Sequence, residues 1–144
     1  MGNSRLGATR PPIHLLASES DVVASIALQA EHRHPVVAAM LLEEIERAEL
    51  HEPETLPADA VMLGSEVSFE DANTREMRTV QLVLPAHANI SEGRISILTP
   101  MGAALYGLKT GDSIDWPDLE GNKRPIRISR VVQPAKAVHG ASAH

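Results

Sequence analysis

The chain has 144 residues, a formal net charge of −6 and no cysteine, a length that suits one domain or a small domain with an appendage. Lack of cysteine excludes disulfides and thiolate chemistry, and the negative charge argues against independent nucleic-acid binding, which needs Lys and Arg to displace counterions from phosphates. No apolar run has the length of a membrane-spanning helix and no signal peptide is recognisable, so we expect a cytoplasmic protein without membrane association.

Two amphipathic helices are predicted after a disordered N-terminus at residues 1–12. The segment 18–21, Ser-Glu-Ser-Asp, is typical of a capping-box start. Apolar residues then follow at helical spacing: Val22, Val23, Ile26 and Ala30 before Pro35, and Val37, Met40, Leu41, Ile45 and Ala48 after it. Two such helices joined by a short loop predict a short antiparallel helical hairpin over residues 13–52.

A linker at residues 53–60 separates this hairpin from a segment with strand periodicity. Pro53 and Pro57 break any helix and favour extended backbone. Beyond them, apolar and polar residues alternate, with Val67, Phe69, Val80, Leu82, Leu84, Ile126 and Ile128 at the apolar positions. Clean alternation predicts an antiparallel sheet with one buried face, so the fold class is α+β, with a domain at residues 61–135 and a flexible tail at 136–144.

The segment 95–116 holds the strongest local signals of the chain. Ile95 and Ile97 alternate with a serine and predict a strand. Thr99 and Pro100 then offer an N-cap and a first helical residue, and Gly107 can end the helix in a left-handed conformation. A strand, one short helix near residues 100–106 and a further strand are therefore expected within about twenty residues, a connection more compact than a βαβ crossover.

This segment reads Ile-Ser-Ile-Leu-Thr-Pro-Met-Gly-Ala-Ala-Leu-Tyr-Gly from residue 95 and resembles the signature of the GreA/GreB transcription elongation factor family, in its C-terminal domain. The stretches 61–69 and 80–85 match upstream. Residues 42–48, 112–116 and 131–134 are more similar to one branch, the Rnk-type regulators of nucleoside diphosphate kinase. The resemblance covers roughly residues 40–135 and implies a twisted antiparallel sheet wrapped on one helix, similar to the FK506-binding proteins (FKBP-like).

The resemblance also implies a partner, RNA polymerase, and a surface that contacts it. In this family the loop at the start of the short helix docks on the coiled coil at the rim of the polymerase secondary channel. The matching residues are Thr99, Pro100, Met101 and Gly102. Pro and Gly bring backbone close to a partner and Met gives an adaptable apolar contact, although Gly102 could be small only for packing. We expect a regulator that competes with Gre factors and is not an enzyme, with no catalytic residue and no cofactor.

The hairpin tip decides between this reading and its alternative, a Gre-type transcript-cleavage factor. Family members that stimulate cleavage carry two acids at the tip, which help to hold a catalytic Mg²⁺. Here the tip offers Glu31, His32, Arg33 and His34, with a single carboxylate. The two histidines and Glu31 could hold Zn²⁺, but structural zinc sites usually have four ligands, so we expect a solvated tip without metal.

Two further features have ordinary explanations. The acidic residues Glu43, Glu44, Glu46, Glu49, Glu52 and Glu54 are typical of a solvated helix face, the alternative being electrostatic matching to a basic partner surface. A prolyl-isomerase pocket, which the FKBP-like fold brings to mind, needs several aromatic rings. The sequence has only Phe69, Tyr106 and Trp116, which also serve the core, so that activity is disfavoured.

Overall fold

The computed structural model describes residues 11–117 and 123–134. The predicted disordered N-terminus, apart from residues 11 and 12, and the predicted flexible tail lie outside these ranges. Helices and strands occur together in the described residues, so the α+β class expected from the sequence is confirmed. None of the helices in these ranges combines the length and hydropathy needed to cross a bilayer.

Two helices lie near the N-terminus, α1 (Ala17–Gln29) and α2 (Pro35–Arg47), and they pack on each other. The predicted capping box is wrong, because α1 begins at Ala17 and no side chain caps it. The Ser20 hydroxyl instead donates to the carbonyl of Ala17 at 2.9 Å. Pro35 occupies the first turn of α2, where the missing N–H of proline costs no hydrogen bond.

A short parallel pair of strands, β1 (His14–Leu16) and β2 (Glu49–His51), flanks the two helices and was not predicted. β1 runs directly into α1, and β2 follows α2 after one residue. Three residues are too few for periodicity to distinguish a strand from a helix end. The pair is also tied to the body of the protein, since the backbone N–H of His14 donates to the carbonyl of Gly107 at 3.0 Å.

In the part of the chain that the structure describes, the main sheet has five strands in the order β5-β4-β3-β7-β6. They are β3 (Glu66–Asp71), β4 (Met77–Val83), β5 (Arg94–Ser96), β6 (Ser113–Pro117) and β7 (Lys123–Val132). All neighbouring pairs are antiparallel except β4 and β5, which are parallel. The expectation of a wholly antiparallel sheet is therefore corrected at this edge.

The parallel edge follows from the chain between β4 and β5. Two 3-10 turns, Pro85–His87 and Ile90–Glu92, carry the chain back along the sheet before β5 begins. A hairpin turn at this point would have made β5 antiparallel. Periodicity alone reports which face of a strand is buried but not the direction in which it pairs, so the sequence could not predict this detail.

The short helix α3 (Pro100–Leu105) packs on the buried face of the sheet, as predicted. Six of the seven predicted inward residues are buried: Val67, Phe69, Val80, Leu82, Ile126 and Ile128. Leu84 is only half-buried, because β4 ends at Val83 and the chain then enters the 3-10 turn Pro85–His87. Leu105 and Tyr106 at the end of α3 pack among the buried residues, and so do Val23 of α1 and Leu41 of α2. The helix pair and the sheet thus share one hydrophobic core. The two helices are therefore packed on the sheet and do not form a detached arm.

Candidate protein-binding site

The four residues predicted to bind a partner, Thr99, Pro100, Met101 and Gly102, form the turn from β5 into α3, and we call them the docking loop. The Thr99 hydroxyl caps α3, because its Oγ1 accepts a hydrogen bond from the Gly102 N–H at 3.0 Å. The same hydroxyl donates to the carbonyl of Ser96 at 2.7 Å. The Thr99 N–H donates to that carbonyl at 3.0 Å, so the loop has a fixed conformation before any partner arrives.

Exposure differs along the docking loop. Pro100 is exposed, whereas Thr99 and Met101 are half-buried and Met101 packs against the edge of the core. Gly102 is buried, and a Cβ added to it would lie 2.2 Å from the carbonyl oxygen of Ser96. Glycine is therefore required there for the close approach of α3 to β5. The surface available to a partner consists of Pro100 and the exposed part of Met101 and Thr99, next to the half-buried Leu98.

The tip between α1 and α2, defined as Glu31, His32, Arg33 and His34, is exposed at all four residues. Its backbone is closed by hydrogen bonds from the N–H groups of Arg33 and His34 to the carbonyl of Ala30, at 3.1 and 2.8 Å. None of the four side chains makes a hydrogen bond or ion pair with another described residue. The tip therefore presents one carboxylate, that of Glu31, beside two imidazoles and a guanidinium.

A buried link that the sequence did not reveal connects α1 to the end of α3. One Glu19 carboxylate oxygen accepts hydrogen bonds from the Leu63 N–H at 3.1 Å and from the Tyr106 hydroxyl at 3.2 Å. Burial raises the pKa of Glu19, and these two hydrogen bonds lower it by a smaller amount. Burial, with the negative charge of Glu19, also raises the pKa of Tyr106. The hydroxyl therefore keeps its proton throughout the physiological range and can donate it in the hydrogen bond to Glu19.

This link fixes the helix pair relative to the docking loop, because Glu19 belongs to the first turn of α1 and Tyr106 follows α3 directly. In the sequence, Glu19 stands three residues before Val22 and was interpreted as part of a helix start. The only available signal was the acid at that position, and it is equally compatible with a solvated first turn. Its true role depends on two partners distant in the chain.

The predicted solvated helix face holds only for Glu43 and Glu46, since α2 ends at Arg47 and Glu49, Glu52 and Glu54 lie beyond it. Glu44 is on the helix but is 3% exposed. Its Oε1 accepts from Arg47 Nη2 at 2.8 Å and from Arg47 Nε at 2.9 Å. A buried carboxylate requires such pairing to offset the loss of hydration. The remaining acids of the run are exposed: Glu43, Glu46, Glu49, Glu52 and Glu54.

A groove of about 640 Å³ opens at the parallel edge of the sheet, and no residue of the docking loop or the tip is in its lining. Gln81, Leu84, His87 and Arg94 are among its lining residues. The Arg94 guanidinium pairs with Glu92 at 2.8 Å. None of the predicted docking-loop or tip residues lines this groove, so it gives no support to the predicted sites.

These observations define a class of protein: a small α+β protein in which a partly exposed loop is held by hydrogen bonds at the start of α3 and a pair of helices packs on the same core as the sheet. A model of the family described as "Transcription elongation factor, GreA/GreB, C-term" matches residues 56–133, more than half of the chain. The chain belongs to the GreA/GreB family. The resemblance first seen in residues 95–116 is thereby confirmed.

Individual relatives divide between two kinds of factor. The chain is 34% identical over 108 residues to the "Regulator of nucleoside diphosphate kinase" of Escherichia coli strain K12, an alignment that covers 75% of this chain and 79% of that protein. It is 40% identical over 83 residues to "Transcription elongation factor GreA" of Rhodospirillum rubrum, covering 57% of this chain and 53% of that protein. The chain thus spans about half the length of this GreA relative but most of the length of the regulator.

A solved structure supports the same family assignment. The "Prokaryotic transcription elongation factor GreA/GreB from Nitrosomonas europaea" superposes with a TM-score of 0.70 and 32% sequence identity. The superposition covers 85% of this chain and 99% of that chain. The likeness therefore includes the helix pair as well as the sheet, since the sheet and its connections alone occupy a smaller share of the sequence.

Proposed function

We propose that this protein is a transcription regulator that binds RNA polymerase through its docking loop, at the rim of the secondary channel, and does not stimulate transcript cleavage. Family membership supports the choice of partner. The observation that carries the choice of surface is the exposed Pro100 and the half-exposed Met101 on a loop held by the Thr99 and Ser96 hydrogen bonds.

The physical argument concerns the entropy of binding. A partner that orders a mobile loop loses part of its binding free energy to that ordering, whereas a loop already held by hydrogen bonds avoids most of this cost. Apolar anchors that fill a partner's pocket contribute most of the affinity in protein interfaces. Met101 and Pro100 supply such a pair, and methionine adapts its shape to an irregular pocket.

The tip supports the second half of the proposal. Holding a second Mg²⁺ needs paired hard oxygen ligands, and among the four tip residues only Glu31 provides one. The neighbouring Arg33 carries positive charge, which opposes a cation at the same place. Each helix of the pair has 13 residues, which gives a length of about 20 Å at ~1.5 Å per residue, and part of this length packs on the core. A short arm with a single carboxylate fits a regulator better than a cleavage factor.

The binding surface is tested by replacing Met101 with Asp. A charge placed in an apolar contact should weaken binding to core RNA polymerase by at least ~2 kcal/mol, about thirtyfold. Met77→Asp is the matched control, because this substitution introduces the same charge at a residue outside the docking loop. Met77 lies in β4 and is 56% exposed. Affinity and melting temperature are measured for both variants and the wild type.

The control should bind like the wild type. Wild-type affinity in a folded Met101→Asp variant would place the docking surface elsewhere. A collapse of its melting temperature would show that Met101 serves the core, and Pro100→Glu, at the exposed neighbouring position, then tests the surface without disturbing packing.

The alternative function, a Gre-type cleavage factor, is favoured by one observation, the 40% identity to a GreA protein. An RNA-cleavage assay on stalled elongation complexes distinguishes the two. We expect no stimulation by this protein, and inhibition of cleavage by a genuine cleavage factor added at the same time, because both would compete for the channel entrance. Robust cleavage that is lost in Glu31→Ala would establish the alternative.

A prolyl isomerase of the FKBP-like type is the weakest of the candidate functions. Phe69 is 3% exposed and Tyr106 is 1% exposed, so neither ring is available to a peptide substrate. The side chain of Trp116, in β6, lies outside the described residues. The described residues therefore offer no accessible aromatic ring from which a concave peptide-binding site could be built.

A further inference from the structure

We propose that His14, Glu49 and His51 form a zinc-binding site at the base of the helix pair. The three side chains converge from β1 and β2, and their potential ligand atoms all lie within 4.8 Å of one another. His14 Nδ1 and His51 Nε2 are 3.0 Å apart. Glu49 Oε1 lies 3.7 Å from His14 Nδ1, and Glu49 Oε2 lies 3.7 Å from His51 Nε2.

The register of the parallel pair explains why these residues meet. His14 is paired with Glu49, and Leu16 is paired with His51. Because side chains alternate between the two faces of a strand, Glu49 and His51 lie on one face of β2, and the neighbouring His14 lies on the same face of β1. Leu15 points to the opposite face and is 1% exposed in the core. The buried leucine therefore fixes the direction of the histidine.

The distances fit a tetrahedral ion. Zinc–ligand bonds of about 2.0–2.1 Å place neighbouring ligand atoms about 3.3–3.4 Å apart at the tetrahedral angle. The observed separations of 3.0 and 3.7 Å fall on either side of this value. The carboxylate is the ligand that must move, and Glu49 is free to do so because its side chain is 66% exposed, against 15% for His14 and 10% for His51.

A neighbouring hydroxyl orients one of the imidazoles. His51 Nδ1 lies 3.0 Å from Thr55 Oγ1, so a proton on Nδ1 can be donated to this hydroxyl. His51 then presents the lone pair of Nε2 to the ion, which is the arrangement that outer hydrogen bonds impose on zinc-bound histidines. Without metal, the two imidazoles can share one hydrogen bond across the 3.0 Å contact, so the metal-free protein needs no different fold.

The donor set selects the class of metal. Two imidazole nitrogens and one carboxylate suit Zn²⁺, with water in the fourth position, whereas Mg²⁺ requires oxygen ligands. The tip residues have the same types of donor, but here strand pairing has already brought the three donors together. The ion would join the strand that precedes α1 to the strand that follows α2. Its effect is therefore a staple across both ends of the helix pair, which limits local opening of β1 from β2.

The test uses the full chain stripped with a chelator and titrated with ZnCl₂ by calorimetry. We expect one high-affinity site per chain and a melting temperature raised by about 5–10 °C at a hundredfold excess over Kd. MgCl₂ should produce neither effect. Glu49→Gln should weaken zinc binding at least tenfold without unfolding the protein, since Glu49 is exposed. Glu52→Gln makes the same charge change at an exposed position outside the site and should bind like the wild type.

The second control compares a histidine of the proposed site with the two histidines of the tip. His14→Gln should abolish the high-affinity site, whereas the double substitution of His32 and His34 by Gln in the exposed tip should preserve it. Failure of the wild type to bind zinc at micromolar concentration would overturn the proposal. Zinc binding that survives both Glu49→Gln and His14→Gln would overturn it equally, because the ion would then be held by other residues.

Discussion

Replacement of Gly102 by alanine tests whether α3 is packed against β5 as closely as the structure shows. Helix propensity alone predicts that alanine stabilises this position by about 1 kcal/mol. The added Cβ, however, would lie 2.2 Å from the carbonyl oxygen of Ser96 and 3.1 Å from the Cα of Ile97. Both contacts are with backbone atoms, which cannot move aside as the end of a flexible side chain can.

Overpacking of this kind typically costs 1–3 kcal/mol and occasionally more, so it outweighs the gain in propensity. The Ser96 carbonyl also accepts two hydrogen bonds from Thr99, and a shift of that carbonyl would strain both. We therefore expect Gly102→Ala to lower the free energy of unfolding by about 2 kcal/mol and the melting temperature by roughly 6–10 °C.

The measurement is urea unfolding followed by circular dichroism, with wild type and variant compared at the same pH. Ala39→Gly, at an exposed position of α2, reports the propensity difference without a steric component and should cost about 1 kcal/mol. A Gly102→Ala variant as stable as the wild type would refute the close approach of α3 to β5. The rigidity argued for the docking loop would fail with it.

Two other substitutions test single interactions. Thr99→Ala removes the cap of α3 and should lower the free energy of unfolding by about 1 kcal/mol. Thr99→Ser keeps the hydroxyl and should keep most of the stability. Equal losses for the two variants in urea unfolding would contradict the assigned cap. Glu19→Gln tests the raised pKa of Glu19. The folded protein binds this proton more tightly than the unfolded chain, so the stabilising contribution of Glu19 is full below its ordinary pKa of 4.5 and declines as pH rises through the raised value. The stability of Glu19→Gln relative to wild type should therefore increase with pH above about 4.5, and a difference that is independent of pH would refute the assigned burial.

The sheet and the short helix could be predicted because their signals are local. Alternation at Val67 and Phe69 reports a buried face directly, and Thr99 followed by Pro100 specifies a helix start through the chemistry of two adjacent residues. The structure confirms both. The role of the docking loop came instead from the family resemblance of this segment, and it stays a prediction.

The parts that were missed depend on partners distant in sequence. The β1–β2 pair joins segments separated by both helices, and three-residue strands carry no periodic signal. Glu19 was interpreted from its local neighbours, although its partners are Leu63 and Tyr106. Glu44 follows the pattern of a solvated acid and is buried because the packing of α2 turns it inward beside Arg47. Local patterns describe one element at a time, whereas these contacts arise when elements assemble.

The closed base of the helix pair has a consequence for how far the arm can extend. β1 pairs with β2 at one end of the helix pair, and Glu19 is bonded in the first turn of α1, so the hydrogen-bonded attachments of the arm lie at this end, while Val23 and Leu41 add apolar contacts with the core along the helices. The opposite end, with its four exposed tip residues, carries none. Two further turns in each helix, about seven residues apiece, would advance the tip by about 10.5 Å and leave the attachments unchanged. In this architecture the length of the two helices can therefore change without any change in the contacts that attach them to the rest of the protein.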